Sequence, residues 1–324
     1  NFLKQLGDSP EKKRNISANS FLCDILTLYT PKGVYYAQSV DCASLLLLYQ
    51  SLIPMQKQLE RAERELRIRN YSRKTVESYL YGLKRYFDFI KSDFERADNE
   101  HIKNFLLSCE QNNSSPQSRN LFLNAIKFYY QKVVGGGEQI TVASAKKNQR
   151  LPAVLSRDEI VSLIATTENT KHKLLLALAY GCGLRVSEVV NLRVKDINLE
   201  ELIIHIKQAK GKKDRITIFP ERLVADIQNL IAGKDGDGIV FASERGGKIT
   251  TRTAQKVFEQ CLKKSGIHRD ATFHSLRHSF ATHLLENGVD VRYIQELLGH
   301  QNIRTTQIYT KVTNPSIKNI KSPF

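Results

Sequence analysis

The chain has 324 residues, more than one domain usually holds, and a formal net charge of +16 with a pI near 9.6, which favours a polyanionic partner, either nucleic acid or an acidic membrane surface. Residues 1–150 carry 23 Lys+Arg against 15 Asp+Glu and residues 151–324 carry 26 against 18, so each half nets +8, a spread that suits two domains gripping one long polyanion rather than a basic tail. The five cysteines, Cys23, Cys42, Cys109, Cys182 and Cys261, are widely separated without C-x-x-C or His at metal-ligand spacing, and the longest apolar runs fall far short of the roughly twenty residues a membrane span needs.

Free thiols, no metal, no membrane association and a cytoplasmic location are therefore expected. Residues 1–55 read as an N-terminal extension of uncertain role: "NFLKQLGDSPEKKRNISANS" is polar and turn-rich, and "ASLLLLYQSLIPMQKQLERAERELRIR" reads as helix, broken or kinked near Pro54. A helical domain spans 56–134. In "SRKTVESYLYGLKRYFDFI", Val76, Tyr79, Leu80, Leu83, Phe87 and Ile90 form one stripe at helical spacing, with Arg73, Lys74, Lys84 and Arg85 largely off it. "NEHIKNFLLSCE" supplies another helix, and "SSPQSRNLFLNAIKFYYQKVV" a further one with Ser115 as N-cap and Pro116 in the first turn.

"GGGEQITVASAKKNQRLP" lacks a sustained apolar period, and a linker is placed over 135–150. The second domain, 151–324, opens at "SRDEIVSLI", where Ser156 and Glu159 have capping-box spacing. One β signal follows. "ELIIHI" alternates Leu202, Ile204 and Ile206, "RITIF" alternates Ile216 and Ile218, and "KQAKGKKD" between them forms the tip of an antiparallel hairpin carrying Lys207, Lys210, Lys212 and Lys213. The pattern then returns to helices, so the fold class is mainly α with a small antiparallel β element.

The residues with chemical potential come in order: Arg185 in "GCGLRVSE", Lys210 in the hairpin tip, His274 and Arg277 in "HSLRH", His300 in "LGH", and Tyr309. His274 and Arg277 are three apart and share a helix face. Two guanidiniums, two imidazoles and a lysine at one point would make a strongly electropositive pocket, and a phosphodiester is its natural occupant. Cleaving that bond requires charge stabilisation on the non-bridging oxygens, an in-line nucleophile and a proton for the leaving alkoxide. Arginine forks, a tyrosine phenol and a lysine meet the three needs without a metal or other cofactor. Each residue also has a plainer reading. Arg185 is spaced to bridge Glu188, Lys210 suits a solvated hairpin, and His300 beside Gly299 suits a helix C-terminus. Tyr293 and Tyr180 compete with Tyr309 as nucleophile on chemistry alone.

The order of these residue types, rather than any single one, strengthens the case. "GLRVSE", "AKGKKDR", "HSLRHSFATHLLENG" and "LGHQNIRTTQIYTKV" resemble the tyrosine recombinase (phage integrase) family, most of all its Xer-type members, strongly over about 151–312 and at the level of pattern over 56–134. The resemblance implies that Arg185 and Arg277 clamp the scissile phosphate, that Tyr309 forms a 3′-phosphotyrosyl bond, and that Lys210 protonates the leaving oxygen. It implies that His274 and His300 bind the phosphate and assist proton transfer, and that Glu188 orients the first arginine. It further implies a C-shaped clamp on double-stranded DNA at a specific site and a homotetramer on two sites. An accessory recombinase or DNA motor is a further implied partner, and the biological role is chromosome dimer resolution or movement of a mobile element. Residues after Tyr309 look like a tail that docks into a neighbouring protomer. The rival readings are a type IB topoisomerase and a non-catalytic DNA-binding protein.

Overall fold

The computed structural model describes residues 42–91, 93–135, 139–146, 151–207, 214–244 and 246–310. The N-terminal forty-one residues, Lys210 with the hairpin tip from 208 to 213, and the tail from 311 onward lie outside the described residues. The chain divides into two compact units, 1–148 and 149–324.

The first unit is helical. Helix α1 (Cys42–Ile68) runs without interruption through Pro54, where the sequence suggests a break or kink. Proline removes one backbone hydrogen bond, and a 27-residue helix rich in Leu, Gln, Glu and Arg carries the chain past that loss. Helix α2 (Arg73–Ile90) starts where the Ser72 side chain accepts from the Thr75 N–H and stops at Lys91, in the left-handed conformation at φ 60°. The Asp98 carboxylate caps α3 (Asn99–Gln111), and Ser115 with Pro116 opens α4 (Pro116–Phe128), which passes into a π-helical turn over Tyr129–Val134.

Val76, Leu83 and Phe87 of the α2 stripe are buried, Tyr79, Leu80 and Ile90 partly so, and they meet Ile102, Phe105, Leu123 and Ile126 from α3 and α4. Gly82 lets α2 approach α4 closely: a Cβ there would come within 2.9 Å of the Phe122 ring. Tyr129, fully buried, satisfies its hydroxyl on Gln58 Oε1 at 3.0 Å, tying the π turn back to α1.

The second unit opens at α5 (Arg157–Ala165), whose capping box forms as Ser156 and Glu159 predict. Helix α6 (Thr170–Gly181) buries every residue from Leu174 to Ala179, which makes it the central strut rather than an amphipathic surface helix. A short α7 (Val186–Asn191) leads to strands β1 (Ile197–Asn198), β2 (Ile203–Ile206) and β3 (Arg215–Ile218), an antiparallel sheet in the order β1-β2-β3. Then come α8 (Val224–Ile231), α9 (Thr251–Lys264), α10 (Phe273–Glu286), α11 (Val291–Leu298) and α12 (Ile303–Thr310).

The hairpin reads correctly on one strand and inverted on the other. Ile204 and Ile206 face the core, but Ile216 and Ile218 are 50% and 41% exposed. Their register partners are Ile203 and His205, whereas Ile204 and Ile206 pair with Thr217 and Arg215. The buried face of β3 is therefore Arg215, Thr217 and Phe219. An arginine points inward because a buried carboxylate, Glu188, receives it at 2.7 Å. Thr217 donates to the Cys182 carbonyl at 2.8 Å. Apolar alternation assigns the wrong face when a strand's inward positions carry an ion pair.

Phe87 packs between Tyr129 and Phe94 with ring centroids 5.1 and 4.9 Å away and is wholly buried. Phe87→Ala should therefore cost the helical unit about 3–5 kcal/mol. A fall in urea midpoint at unchanged m-value, followed by circular dichroism, is the expected result.

Candidate active site

The site is built around Glu188, in the first turn of α7. Its carboxylate, only 7% exposed, accepts Arg185 Nη1 at 2.6 Å, the Arg185 backbone N–H at 2.8 Å and Arg215 Nη2 at 2.7 Å, and lies 3.8 Å from Arg277 Nη1. Burial pushes this carboxyl up, but Arg215, the Arg185 N–H, and the Arg185 and Arg277 charges together outweigh it and hold the group below its ordinary range. One anion thus serves three guanidiniums, and two positive charges remain uncompensated among the groups named.

Arg277, on α10, has no exposed surface. Its Nη1 donates to the Gly183 carbonyl at 2.7 Å and its Nη2 donates to the Leu298 carbonyl, which also receives Arg185 Nη2 at 3.4 Å. Two guanidiniums meeting on a single carbonyl oxygen are neighbours in space. Gly183 makes this possible by adopting φ +61°, and a Cβ there would sit 2.4 Å from the Phe280 ring. Burial first, then Arg185 and Arg215, lower the Arg277 guanidinium to about 9, which leaves it charged at neutral pH. Its Nε is buried without a hydrogen-bond partner among the described residues. Surplus positive charge and an unused donor together favour an anionic ligand.

His300 follows Gly299, which ends α11 in the left-handed conformation at φ 62°. Its Nε2 lies 3.3 Å from Arg277 Nη2 and its Nδ1 lies 2.9 Å from Thr306 Oγ1. Since arginine only donates, Nε2 accepts and the ring proton sits on Nδ1, pointing at the buried threonine. Burial and the Arg277, Arg185 and Arg215 charges lower His300 to about 3. His274 keeps a solvent-facing edge, and crowding followed by the Arg277 and Arg185 charges lowers it as well.

Tyr309, on α12, is 2% exposed among Phe280, Ile294 and Leu298, with its ring stacked on His300 at 6.5 Å. Burial raises its phenol, while Arg277 and Arg185 pull it down. Of its two competitors, Tyr293 is 65% exposed on α11, and Tyr180 is hydrogen-bonded to His283 Nδ1 at 2.9 Å under the influence of other charges. The structure thus brings Arg185, Glu188, His274, Arg277, His300 and Tyr309 to one locus. Lys210 lies outside the described residues.

Three residues in this locus carry no role in the sequence reading. Arg215 was hidden inside "KKDR", one basic residue among several, and only burial on β3 marks it. Thr306 has no sequence signal. His278 does: it follows His274 by four and so shares its helix face. Its Nδ1 is 3.0 Å from the Tyr309 hydroxyl, and its ring meets that of His274 edge-on at 4.5 Å.

Residues 153–315 match the phage integrase family and residues 59–137 match the phage integrase N-terminal SAM-like domain. Tyrosine recombinase XerA of Pyrococcus horikoshii is 35% identical over 264 residues, covering 80% of this chain and 90% of that protein. Tyrosine recombinase XerD of Listeria monocytogenes is 32% identical over 279 residues, covering 79% and 94%. Two solved structures share the fold: XerH site-specific recombinase bound to a palindromic difH substrate, TM-score 0.61, 20% identity, covering 88% of this chain and 90% of that one, and a lambda integrase dimer bound to a COC′ core site, TM-score 0.63, 18% identity, covering 92% and 86%. The chain belongs to the phage integrase family of tyrosine recombinases, enzymes that cleave and rejoin DNA strands in site-specific recombination.

The depressed histidines have a measurable consequence. An imidazole whose folded pKa lies below its unfolded value near 6.5 takes up protons more readily in the unfolded chain, so stability is full above that value and falls as pH drops toward the folded value. For His300, lowered to about 3, the loss runs from about pH 6.5 downward. His300→Gln should therefore lose less stability than the parent between pH 7 and pH 5, read as the difference in urea midpoints.

Proposed function

We propose that Arg185 and Arg277 bind the non-bridging oxygens of one DNA phosphate while Tyr309 attacks it, leaving a 3′-phosphotyrosyl link and a free 5′-hydroxyl. The observation that carries this reading is the shared use of the Leu298 carbonyl and the Glu188 carboxylate, which sets the two guanidiniums side by side. Bidentate arginine contacts neutralise charge as it builds on the equatorial oxygens. Glu188 orients Arg185, and His274 and His300 contact the phosphate and assist proton movement. Lys210 supplies the proton to the departing 5′ oxygen. The phosphotyrosyl bond conserves the energy of the broken linkage, so rejoining to a new strand requires no nucleotide cofactor.

The even basic charge of the two halves supports contact with double-stranded DNA by both units. The XerH site-specific recombinase bound to its palindromic difH substrate, which shares this fold, supports action at a specific site. A homotetramer on two such sites, exchanging one strand pair at a time, completes the proposal, in service of chromosome dimer resolution or of a mobile element.

A duplex nicked close to the cleavage point traps the covalent adduct. Wild-type protein should attach to it, and Tyr309→Phe should bind the same DNA yet form no adduct; an adduct from Tyr309→Phe would remove the nucleophile assignment. Supercoiled plasmid lacking the site should not be relaxed, which separates this enzyme from a type IB topoisomerase. Lys210→Ala should slow cleavage by roughly 10²-fold or more, and a 5′-bridging phosphorothiolate should restore the rate because a thiolate leaves without a proton. Absence of that rescue would withdraw the general-acid role.

A further inference from the structure

From the 3.0 Å contact between His278 Nδ1 and the Tyr309 hydroxyl, we infer that His278 is a further catalytic residue, the group that holds the attacking phenol and accepts its proton. The inference rests on Tyr309 being the nucleophile. A phenol attacks phosphorus well only as it loses its proton, and here burial disfavours the free phenolate. A neutral imidazole within hydrogen-bond reach is the group placed to take that proton during attack. His300 stacks its ring on Tyr309 at 6.5 Å and turns its nitrogens toward Arg277 and Thr306, whereas the proton acceptor for the phenol has to face the hydroxyl. His278, by contrast, sits one residue beyond the guanidinium and presents Nδ1 to the phenol from the same helix face as His274.

The groups facing His278 are Tyr309 from α12 and His274 and Arg277 from α10 itself. Burial first, then His274 and Arg277, keep it neutral in the free protein. A bound phosphate offsets the Arg277 charge, which raises the basicity of His278 at the moment a proton is to be moved. As the phenol oxygen bonds to phosphorus and the bond from phosphorus to the 5′ oxygen breaks, the phenolic proton passes to Nδ1. The departing 5′ oxygen takes a separate proton, from Lys210 in the reading above. In rejoining, the 5′-hydroxyl gives its proton back to Lys210 and His278 returns its own to the phenol. Atoms and charge balance in both directions.

The experiment is single-turnover adduct formation on the nicked duplex across a pH series, with DNA binding and thermal unfolding recorded for each variant. His278→Ala should slow adduct formation by roughly 10²–10⁴-fold with binding retained, and added free imidazole should restore part of the rate. His278→Asn keeps a hydrogen-bonding atom near the Nδ1 position but cannot carry a proton; it should fold, bind DNA and remain slow, and its profile should lack the acid limb of the wild type. Both variants should stay slow on the 5′-bridging phosphorothiolate, since the defect is on the attacking side. Wild-type or faster adduct formation by His278→Ala would overturn the inference, the faster result meaning that the contact is a latch. Full rescue by the phosphorothiolate, or an unaltered acid limb in His278→Asn, would also overturn it. Tyr309→Phe is run alongside: an adduct there breaks the underlying reading, whereas no adduct there with a normal His278→Ala breaks only the present one.

Discussion

One buried carboxylate organises this site. Glu188 is shared by Arg185 from its own turn, Arg215 from β3 and, at longer range, Arg277 from α10, so elements far apart in sequence are pinned at one oxygen pair. A buried ion pair is commonly a poor source of net stability, because desolvation consumes most of the Coulombic gain. Here its value is positional. Three cations held by one anion leave positive charge unspent in a low-dielectric setting, where it acts most strongly on an incoming phosphate.

The same field explains the state of the surrounding acids and bases. His300 and His278 are lowered to about 3 and about 4, with burial and neighbouring cations acting in the same direction, so both imidazoles are neutral acceptors at physiological pH. The arginines pull the Tyr309 phenol down as well, but burial acts the other way on a phenol and raises it by more. In the proposed function, a phosphate entering the locus would cancel part of the cationic field and shift all of these groups together.

Much of the site was legible because its chemistry is local in sequence. His274 and Arg277 are one helical turn apart, Glu188 and Arg185 are three apart, and Gly299 marks a helix end beside His300. The plainer readings of Arg185 and His300 hold in the structure: one bridges Glu188 and the other follows a helix stop. Arg215 and Thr306 were illegible for the reason that their significance is burial against partners 27 and 6 residues away, which no periodicity encodes. His278 is legible only as a neighbour of His274 on one helix face; its spacing carries no sign of the Tyr309 hydroxyl it meets.

The sequence by itself determined the helical elements, their caps, the two-unit division of labour in charge and the order of reactive residue types, since each depends on neighbours a few positions apart. The tertiary structure alone decided which face of β3 is buried, because an inward arginine needs a carboxylate delivered by another element. It alone also decided that the Tyr309 hydroxyl rests on His278: that contact spans 31 residues, and only the packing of α12 on α10 fixes which imidazole the phenol meets.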